Sequence, residues 1–411
     1  MNGVESRHLH KERFTLNSKQ RTLCISLISL VTLVSITGIQ NSYAGCRMDM
    51  NQGIQNIIDK DRQTYHIPGI EVSIICPGDN APRDFVSGTT EINGNTLVQT
   101  DSMFQIGSET KSFIAVILLQ LEAEGLLSID DPIGKWLPAI SPDWRDITIR
   151  QLLNHTSGIY NFTDVMIAMI IKDNNFDLKK QWTSDELLKL LDDQSPYFEP
   201  GMGWHYSNSN YILAGMVIES VTGKSIGEEM KIHLIDPLGL SNTHYIPAIY
   251  TDKIMQHMAH GYARSGIFHE EPKDITESNS SWAGAAGANI STSHDMAIWF
   301  NKLTSGNILP AQQMKEMTSL VNENNGQSIP DTAQAAGYGL AIMHDFTTFG
   351  EESWWHSGGT LGYSSFMVRL KGNDVIITVN ANEISAIEPK ERDLYFLTKD
   401  LIAYVQQSDP S

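Results

Sequence analysis

The chain has 411 residues, of which 41% are hydrophobic and 19% are charged, a composition typical of a globular protein with a sizeable core. This length suffices for one large domain or two ordinary ones, and we find no repeat or low-complexity tract. The formal net charge of −19 at pH 7 argues against nucleic acid or an anionic membrane as a partner.

The first 44 residues are typical of an export signal. Basic residues within 7–21 precede an apolar run over 23–39, and Ser42 and Ala44 supply an A-x-A-like cleavage site. The apolar run approaches the length that crosses a bilayer, so an uncleaved N-terminal anchor is the alternative. The interpretation favours an exported protein, periplasmic or secreted, whose mature chain is a single domain over residues 45–411.

The cysteines fit an oxidising compartment. Cys24 lies within the signal, which leaves Cys46 and Cys76 in the mature chain, and an even pair favours a disulfide. Residues 43–46 also resemble a bacterial lipoprotein processing site, which would put a lipid anchor on Cys46. Tyr43 stands where such sites usually carry leucine, so the sequence favours a disulfide or free thiols over the lipid.

The predicted elements run from strands to helices and back to strands. In chain order they are a helix near 50–58, strands at 70–76 and 84–88, a helix over 108–125, helices over 147–158 and 211–221, strands at 337–343, 353–358, 364–369 and 375–380, and a helix over 394–404. This order predicts an α+β fold with one sheet built from distant segments. Residues 45–135 and 285–411 would form the α/β lobe, and residues 136–284 an inserted, mostly helical lobe.

The start of the helix over 108–125 carries a candidate nucleophile. Ser108 and Lys111 are three positions apart and share one face of the first turn, and the residues after them are apolar nearly all round, as in a buried helix. Backbone N–H groups at a helix start favour an oxyanion, while burial and the helix dipole disfavour a protonated lysine. We hypothesise that Lys111 activates Ser108. The alternative is a helix cap by Ser108 beside a solvated Lys111.

Two other polar motifs occur once each. In Tyr206-Ser207-Asn208 the phenol is suited to relaying a proton, and the amide is suited to orienting a substrate carbonyl. The alternative is that Ser207 or Asn208 caps a helix. His356-Ser357-Gly358 stands at a predicted strand end before another glycine, where backbone can approach a substrate closely; the alternative is an ordinary strand and turn.

Taken together and in this order, the three motifs resemble the signature of the serine β-lactamase and penicillin-binding protein superfamily, which is Ser-x-x-Lys, then Tyr-x-Asn or Ser-x-Asn, then Lys-x-Gly or His-x-Gly. The Tyr-x-Asn version is similar to class C β-lactamases, DD-carboxypeptidases and related esterases. The resemblance covers roughly residues 50–405. Recurring phrases of that branch are similar to residues 67–69, 147–158, 198–208, 236–240 and 286–292.

The resemblance implies a β-lactamase/DD-peptidase-like fold, an α/β sandwich whose antiparallel sheet is flanked by the N- and C-terminal helices. It also implies a set of roles: an acylated Ser108, proton transfer by Lys111 and Tyr206, substrate binding by Asn208, His356, Ser357 and Gly358, and an oxyanion hole formed by the backbone N–H groups of Ser108 and Gly359. No cofactor or metal is expected, since no motif has metal-ligand spacing.

One position departs from the β-lactamase pattern. Class C β-lactamases carry lysine where His356 stands, and histidine is mostly neutral at pH 7. Some DD-carboxypeptidases and esterases of this branch carry histidine there. The expected activity is therefore that of an exported D-alanyl-D-alanine carboxypeptidase or a related amide hydrolase acting on a small-molecule or peptidoglycan-derived substrate. The alternatives are an esterase, a class C-like β-lactamase and a non-hydrolytic penicillin-binding sensor.

Several aromatic residues and one further histidine lie near these motifs. We expect His155 to be a helix-end hydrogen-bonding residue. The tryptophans flank motif residues, and core packing is the favoured role over the wall of a cleft; they are Trp204, Trp282, Trp354 and Trp355.

Overall fold

A seven-stranded antiparallel sheet drawn from both ends of the chain forms the centre of the computed structural model, which describes residues 50–173, 175–264, 266–268, 272–330, 334–384 and 394–407. Its strands are β1 (Gly69–Ile75), β2 (Arg83–Gly88), β8 (Gly337–Tyr338), β9 (Met343–Asp345), β10 (Ser353–Gly359), β11 (Ser364–Leu370) and β12 (Ile376–Ala381). The order across the sheet is β2-β1-β12-β11-β10-β9-β8. The predicted antiparallel sheet of distant segments is confirmed.

Two three-stranded sheets lie outside the central one. They are built from β3 (Phe104–Gln105), β4 (His244–Tyr245), β5 (Tyr262–Ala263), β6 (Lys273–Asp274), β7 (Asn289–Ser291) and β13 (Glu383–Ile384), in the orders β13-β5-β6 and β3-β7-β4. Because β3 pairs with β7, the approach to Ser108 is joined to the segment that follows the helical region.

The α-helices of the described chain are α1 (Asn51–Thr64), α2 (Thr110–Ala123), α3 (Ile149–Leu153), α4 (Phe162–Lys172), α5 (Ser184–Lys189), α6 (Asn208–Thr222), α7 (Ile226–Met230), α8 (Asp236–Leu238), α9 (Asp252–Met255), α10 (Gly284–Gly287), α11 (Ser293–Thr304), α12 (Ala311–Met317) and α13 (Leu394–Gln407). Short 3₁₀ turns occupy Gly107–Glu109, Ile133–Lys135, Pro142–Trp144 and Ser280–Trp282, and a π-helical turn occupies Lys231–Ile235. Among these described helices, none is both long and apolar enough to cross a membrane.

The sheet is covered on both faces. On β1, Ile70, Val72 and Ile74 point to one side and pack with α1 and α13. The alternate residue Ser73 points to the other side, where its hydroxyl lies 2.7 Å from that of Ser293 at the start of α11. Residues on both faces of β1 are buried, including the polar Glu71 and Ser73, so this strand has no solvent face.

Helix α2 is the core of the larger apolar cluster, as its all-round apolar sequence predicts. Every residue from Thr110 to Leu119 is buried. Phe113 stacks on Trp299 of α11 with ring centroids 3.8 Å apart, and the Trp299 indole N–H donates to Ser112 at 2.9 Å. The first turn of α2 is therefore held rigidly, and the side chains it carries have little freedom.

Two predicted elements are wrong in extent. The strand over 337–343 is instead β8 and β9 joined by a tight turn, in which the Gly339 N–H donates to the Ile342 carbonyl at 2.8 Å and Ala341 has a φ of +63°. The helix over 147–158 is only the five residues of α3. It ends early because His155 adopts a φ of +63°, which reverses the chain three residues before Gly158, the last residue of the predicted helix.

Residues Ala44–Ser411 form one compact unit. Cys76 is buried and takes part in a disulfide, whose partner lies outside the described residues. Cys46 and the proposed signal segment also lie outside them, so the Cys46–Cys76 pairing, the lipid anchor and the export signal stay predictions.

A buried carboxyl group ties β1 to α11. Glu71 has no exposed surface, and one of its oxygens accepts the backbone N–H of Ser293 at 2.8 Å. The other oxygen has no hydrogen-bond partner in the described part of the chain. Burial raises the pKa of Glu71 well above its ordinary value, and nearby Asp84 raises it further, whereas the Ser293 hydrogen bond opposes the rise.

Replacing Glu71 with glutamine should change how stability depends on pH. Because the native pKa of Glu71 is raised, the wild-type protein loses stability as pH rises from the ordinary glutamate value towards the native one, and Glu71→Gln removes this loss. We expect the stability advantage of the variant, measured by urea denaturation, to be larger at pH 8 than at pH 5. The exposed Glu124→Gln serves as control. A pH-independent difference would contradict this account.

Candidate active site

The turn Gly107–Glu109 and the first turn of α2 bring a hydroxyl and a buried amine together. Lys111 has no exposed surface, and its Nζ lies 2.8 Å from each of three oxygens: Ser108 Oγ, Asn208 Oδ1 and the Ala286 carbonyl. These oxygens belong to three separate segments of the chain. The predicted neighbours Ser108, Lys111 and Asn208 therefore meet at one nitrogen.

The hydrogen-bonding pattern defines where the lone pair of a neutral Lys111 points. Burial lowers the pKa of Lys111 well below its ordinary value. A neutral amine has two N–H groups and one lone pair. The carbonyl oxygens of Asn208 and Ala286 can only accept, so they take the two N–H groups. The lone pair then faces Ser108, whose hydroxyl can donate to it. This arrangement suits removal of the serine proton.

The side chain of Asn208 is oriented from two sides. It is the first residue of α6, its backbone N–H donates to Asn161 Oδ1 at 3.0 Å, and its Nδ2 donates to Thr163 Oγ1 at 3.1 Å. With Oδ1 on Lys111, the amide cannot turn over without losing a bond at each end. Its second Nδ2 hydrogen is the one available to a substrate. Sequence reasoning missed Asn161 and Thr163, which belong to no motif.

Tyr206 lies over the same amine. Lys111 Nζ is 4.9 Å from the centroid of its ring. The ring is partly exposed, but the hydroxyl is buried and makes no full hydrogen bond within the described chain. Burial raises the pKa of Tyr206 above its ordinary value of 10, and the nearby Ser108 hydroxyl partly opposes this. The phenol therefore stays protonated at neutral pH and has a proton to donate.

His155 holds Tyr206 in place, a role that sequence reasoning missed. Its carbonyl accepts the His205 N–H at 3.1 Å and its Nδ1 accepts the Ser207 N–H at 3.2 Å, so it binds the backbone on both sides of Tyr206. Its fully buried ring lies 4.2 Å from the tyrosine ring, centroid to centroid. Because Nδ1 also accepts from Asn210 at 3.2 Å, the proton of the neutral imidazole is on Nε2.

Removing the His155 hydrogen bonds that hold Tyr206 should slow turnover more than it weakens substrate binding. We expect His155→Ala to lower kcat by roughly 100-fold, since a shift of about 1 Å in a reacting group costs that much. His155→Asn should retain more activity, because asparagine keeps an acceptor at the δ1 position and tolerates a positive φ. Steady-state kinetics on an ester and a thermal melt of each variant test this. An unchanged kcat in a folded His155→Ala protein would contradict it.

The end of β10 lies directly against the nucleophile turn. Gly107 has a φ of +48°, and a Cβ there would sit 2.6 Å from the Gly359 nitrogen. A Cβ on Gly358 would sit 2.0 Å from the Ile106 carbonyl oxygen. Only glycine allows these two approaches. They place the backbone of Ser108 beside that of Gly359, the two residues predicted to form an oxyanion hole.

His356 faces the protein, whereas Ser357 after it is exposed. The imidazole is 2% exposed; its Nδ1 lies 2.7 Å from the Ser357 carbonyl and its Nε2 lies 3.2 Å from the Tyr338 hydroxyl. Burial, with a smaller contribution from Lys111 in its protonated form, lowers the pKa of His356 to about 3, so the ring is neutral over the physiological range. It offers a substrate carboxylate no positive charge.

The tryptophans divide between site and core. Trp204 meets the His155 ring edge-on at 6.1 Å, and Trp282 lines a cavity that also contains Asn208. Trp354 packs against a histidine, 4.3 Å between ring centroids, and Trp355 stacks on Phe366 at 5.5 Å. Two of the four thus adjoin the candidate site.

The family model described as Beta-lactamase matches residues 54–399. The chain belongs to the beta-lactamase family. It is a serine hydrolase of the serine β-lactamase and penicillin-binding protein superfamily, and the predicted α+β fold is confirmed.

Three relatives illustrate its neighbourhood. Penicillin-binding protein 4* of Bacillus subtilis is 29% identical over 69% of this chain, and the matched region spans only 61% of that relative. The crystal structure of a D-stereospecific amidohydrolase from Streptomyces sp. is 32% identical, with 82% of this chain and 98% of that one covered and a TM-score of 0.68. The D-amino acid amidase from Ochrobactrum anthropi, solved with L-phenylalanine amide, is 26% identical over 88% and 99% of the chains, with a TM-score of 0.74.

Proposed function

We propose that this protein is an exported serine amidohydrolase that forms an acyl-enzyme on Ser108 with a D-configured aminoacyl group. The observation that carries the proposal is the buried amine of Lys111, 2.8 Å from the Ser108 hydroxyl. The D configuration is supported by the structural neighbours, which are a D-stereospecific amidohydrolase and a D-amino acid amidase. Export is supported by the signal-like sequence of the first 44 residues.

In the proposed reaction, the lone pair of Lys111 takes the Ser108 proton as Oγ bonds to the substrate carbonyl carbon. The carbonyl π electrons move to oxygen, and the N–H groups of Ser108 and Gly359 bind that oxyanion. Tyr206 donates its proton to the leaving nitrogen and regains one from Lys111. The carbon–nitrogen bond breaks, which leaves an ester on Ser108 and a free amine. Water then attacks that ester while Tyr206 and Lys111 take its proton, and the bond between the acyl carbon and Ser108 Oγ breaks as the proton passes to Oγ, which releases the carboxylic acid and restores Ser108.

The neutral His356 favours leaving groups without a carboxylate. In this family's β-lactamases a lysine stands at that position, whereas here both imidazole nitrogens are engaged within the protein. We therefore rank amides and esters with an uncharged leaving group above β-lactams. The D-alanyl carboxypeptidase reading is the second candidate, supported by the similarity to penicillin-binding protein 4*. The non-hydrolytic sensor is disfavoured, because base, acid and nucleophile lie side by side.

Replacing Ser108 with alanine should abolish both acylation and turnover. We expect the wild-type protein to gain the mass of one fluorescent penicillin molecule, since ring opening expels no leaving group, and to release nitrophenol from a nitrophenyl ester. We expect Ser108→Ala to do neither. Ser112→Ala is the matched control, since Ser112 lies four positions along and its hydroxyl, among the described residues, bonds to the Glu109 carbonyl and the Trp299 indole alone. Labelling of the Ser108→Ala protein would place the nucleophile elsewhere.

The pH dependence should report Lys111 and not His356. Only the deprotonated amine can act as a base, and its fraction rises with pH, so kcat/KM should rise to a plateau through a pKa below the ordinary lysine value. Lys111→Arg should lower kcat by roughly 10²–10⁴, because guanidinium keeps its proton. His356→Gln should leave the midpoint of this rise in place, since the His356 pKa of about 3 lies below the assay range. A midpoint that moves with His356→Gln would contradict the assignment.

A further inference from the structure

An apolar cavity of about 250 Å³ opens beside the candidate catalytic groups. Its lining includes Met166, Ile167 and Ile170 of α4, together with Trp282 and Leu361. Met166 and Ile170 are almost completely buried at its floor, whereas Ile167 is 38% exposed at its rim. The cavity is therefore shielded from solvent at Met166 and Ile170 and open to solvent at Ile167.

The cavity adjoins the reaction centre on the side of Asn208 and Gly359. Asn208 and Gly359, the proposed amide-binding and oxyanion residues, line it. Tyr206 and His356 are not among its lining residues. Since the leaving nitrogen must lie next to the proton of Tyr206, the part of the substrate that stays on Ser108 extends towards the cavity.

The size and lining of the cavity define the group that fits it. An apolar cavity of roughly 150 Å³ holds a benzene molecule, so 250 Å³ accommodates a phenyl ring or a branched aliphatic chain. The methyl group of an alanyl substrate would leave most of this space unfilled. Unfilled apolar space contributes no contact energy to binding.

One polar group on the cavity wall has no partner. Thr360 follows the oxyanion glycine, is 7% exposed and lines the cavity. Its hydroxyl makes no hydrogen bond to any described residue. A buried hydroxyl without a partner is costly unless a ligand satisfies it, and the α-nitrogen of an aminoacyl group lies one bond from the carbon that bears the side chain.

We propose that this cavity selects an α-aminoacyl group with a bulky apolar side chain, which enters between α4 and Leu361 while Thr360 Oγ1 hydrogen-bonds the α-nitrogen. The inference rests on the proposed function of the site and narrows its substrate class. The preferred substrates are thus amides of branched aliphatic or aromatic D-amino acids, and D-alanyl derivatives are poorer ones.

A substrate series tests the side-chain preference. We expect kcat/KM for the p-nitroanilides of D-phenylalanine and D-leucine to exceed that for D-alanine roughly 10- to 100-fold, because burial of a large apolar side chain contributes that much. Equal or reversed values would overturn the inference and leave the proposed acyl-enzyme intact. The L-enantiomers, run in parallel, test the configuration separately.

Two variants on one helix test the location. Ile167→Asp puts a charge at the rim and should reduce the preference for phenylalanine over alanine at least tenfold. Ile171→Asp is the matched control: it lies one turn away on α4, is 54% exposed and does not line the cavity. An equal loss of preference in both variants would overturn the assignment.

Thr360→Val tests the hydroxyl. It should lower kcat/KM for D-phenylalanine p-nitroanilide roughly 3- to 10-fold, the effect of one lost hydrogen bond. It should leave the des-amino analogue, 3-phenylpropionyl p-nitroanilide, unchanged. Equal losses on both substrates would overturn the role of Thr360.

A binding measurement separates this inference from the catalytic proposal. On the Ser108→Ala protein, calorimetric titration should give a lower Kd for D-phenylalaninamide than for D-alaninamide by roughly tenfold or more. If this difference in Kd were found but the wild-type protein never became acylated, the proposed reaction would be wrong and the pocket assignment would stand. Equal Kd values would contradict the pocket assignment, whether or not the enzyme is active.

Discussion

The site depends on a single amine buried without a counter-charge. Keeping a lysine neutral at pH 7 costs roughly 5 kcal/mol in water, and burying an unpaired ammonium costs several kcal/mol or more. Lys111 has three oxygens around it and no carboxylate among its hydrogen-bond partners, so burial favours the free base. Those oxygens come from the turn Gly107–Glu109, α6 and α10, and the amine can keep its place only if all three segments pack correctly. The reactivity of Ser108 therefore depends on correct packing of the core.

The backbone imposes a second constraint on the same place. The nucleophile turn and the end of β10 touch at Gly107 and Gly358, where a Cβ would overlap main-chain atoms of Gly359 and Ile106. Such close contact leaves no room for a side chain between the hydroxyl of Ser108 and the strand. It also explains why β10 ends in consecutive glycines, although glycine weakens a strand interior. The sheet tolerates this loss of stability because the glycines lie at the end of β10, next to the site.

Local sequence predicted much of the fold and of the site, but few of the contacts that hold the site residues in place. The apolar character of α2 and the three singly occurring motifs predicted the core helix and which side chains meet. The Ala286 carbonyl was not predictable, because it is 175 residues from Lys111 and a main-chain oxygen has no sequence signature. His155 is the hydrogen-bonding residue at a helix end that the sequence predicted, but its position next to Tyr206 was not predictable, because it depends on a positive φ that is set by tertiary packing. The turn at Ala341 was missed for the same reason.

Family membership defines the chemistry of the site more closely than its substrate. The polar groups that surround Ser108 serve any acyl transfer, so they cannot distinguish a peptide from an amide or an ester. Discrimination must come from what surrounds them, and here both sides of the centre differ from a site built for an anionic substrate. On the leaving-group side the imidazole of His356 is buried and uncharged. On the acyl side, α4 presents an apolar wall with one free hydroxyl at Thr360. In the proposed reaction, an uncharged His356 on one side and a large apolar acyl pocket on the other would both disfavour D-alanyl-D-alanine termini, the first on electrostatic and the second on packing grounds, and the two grounds are independent of each other.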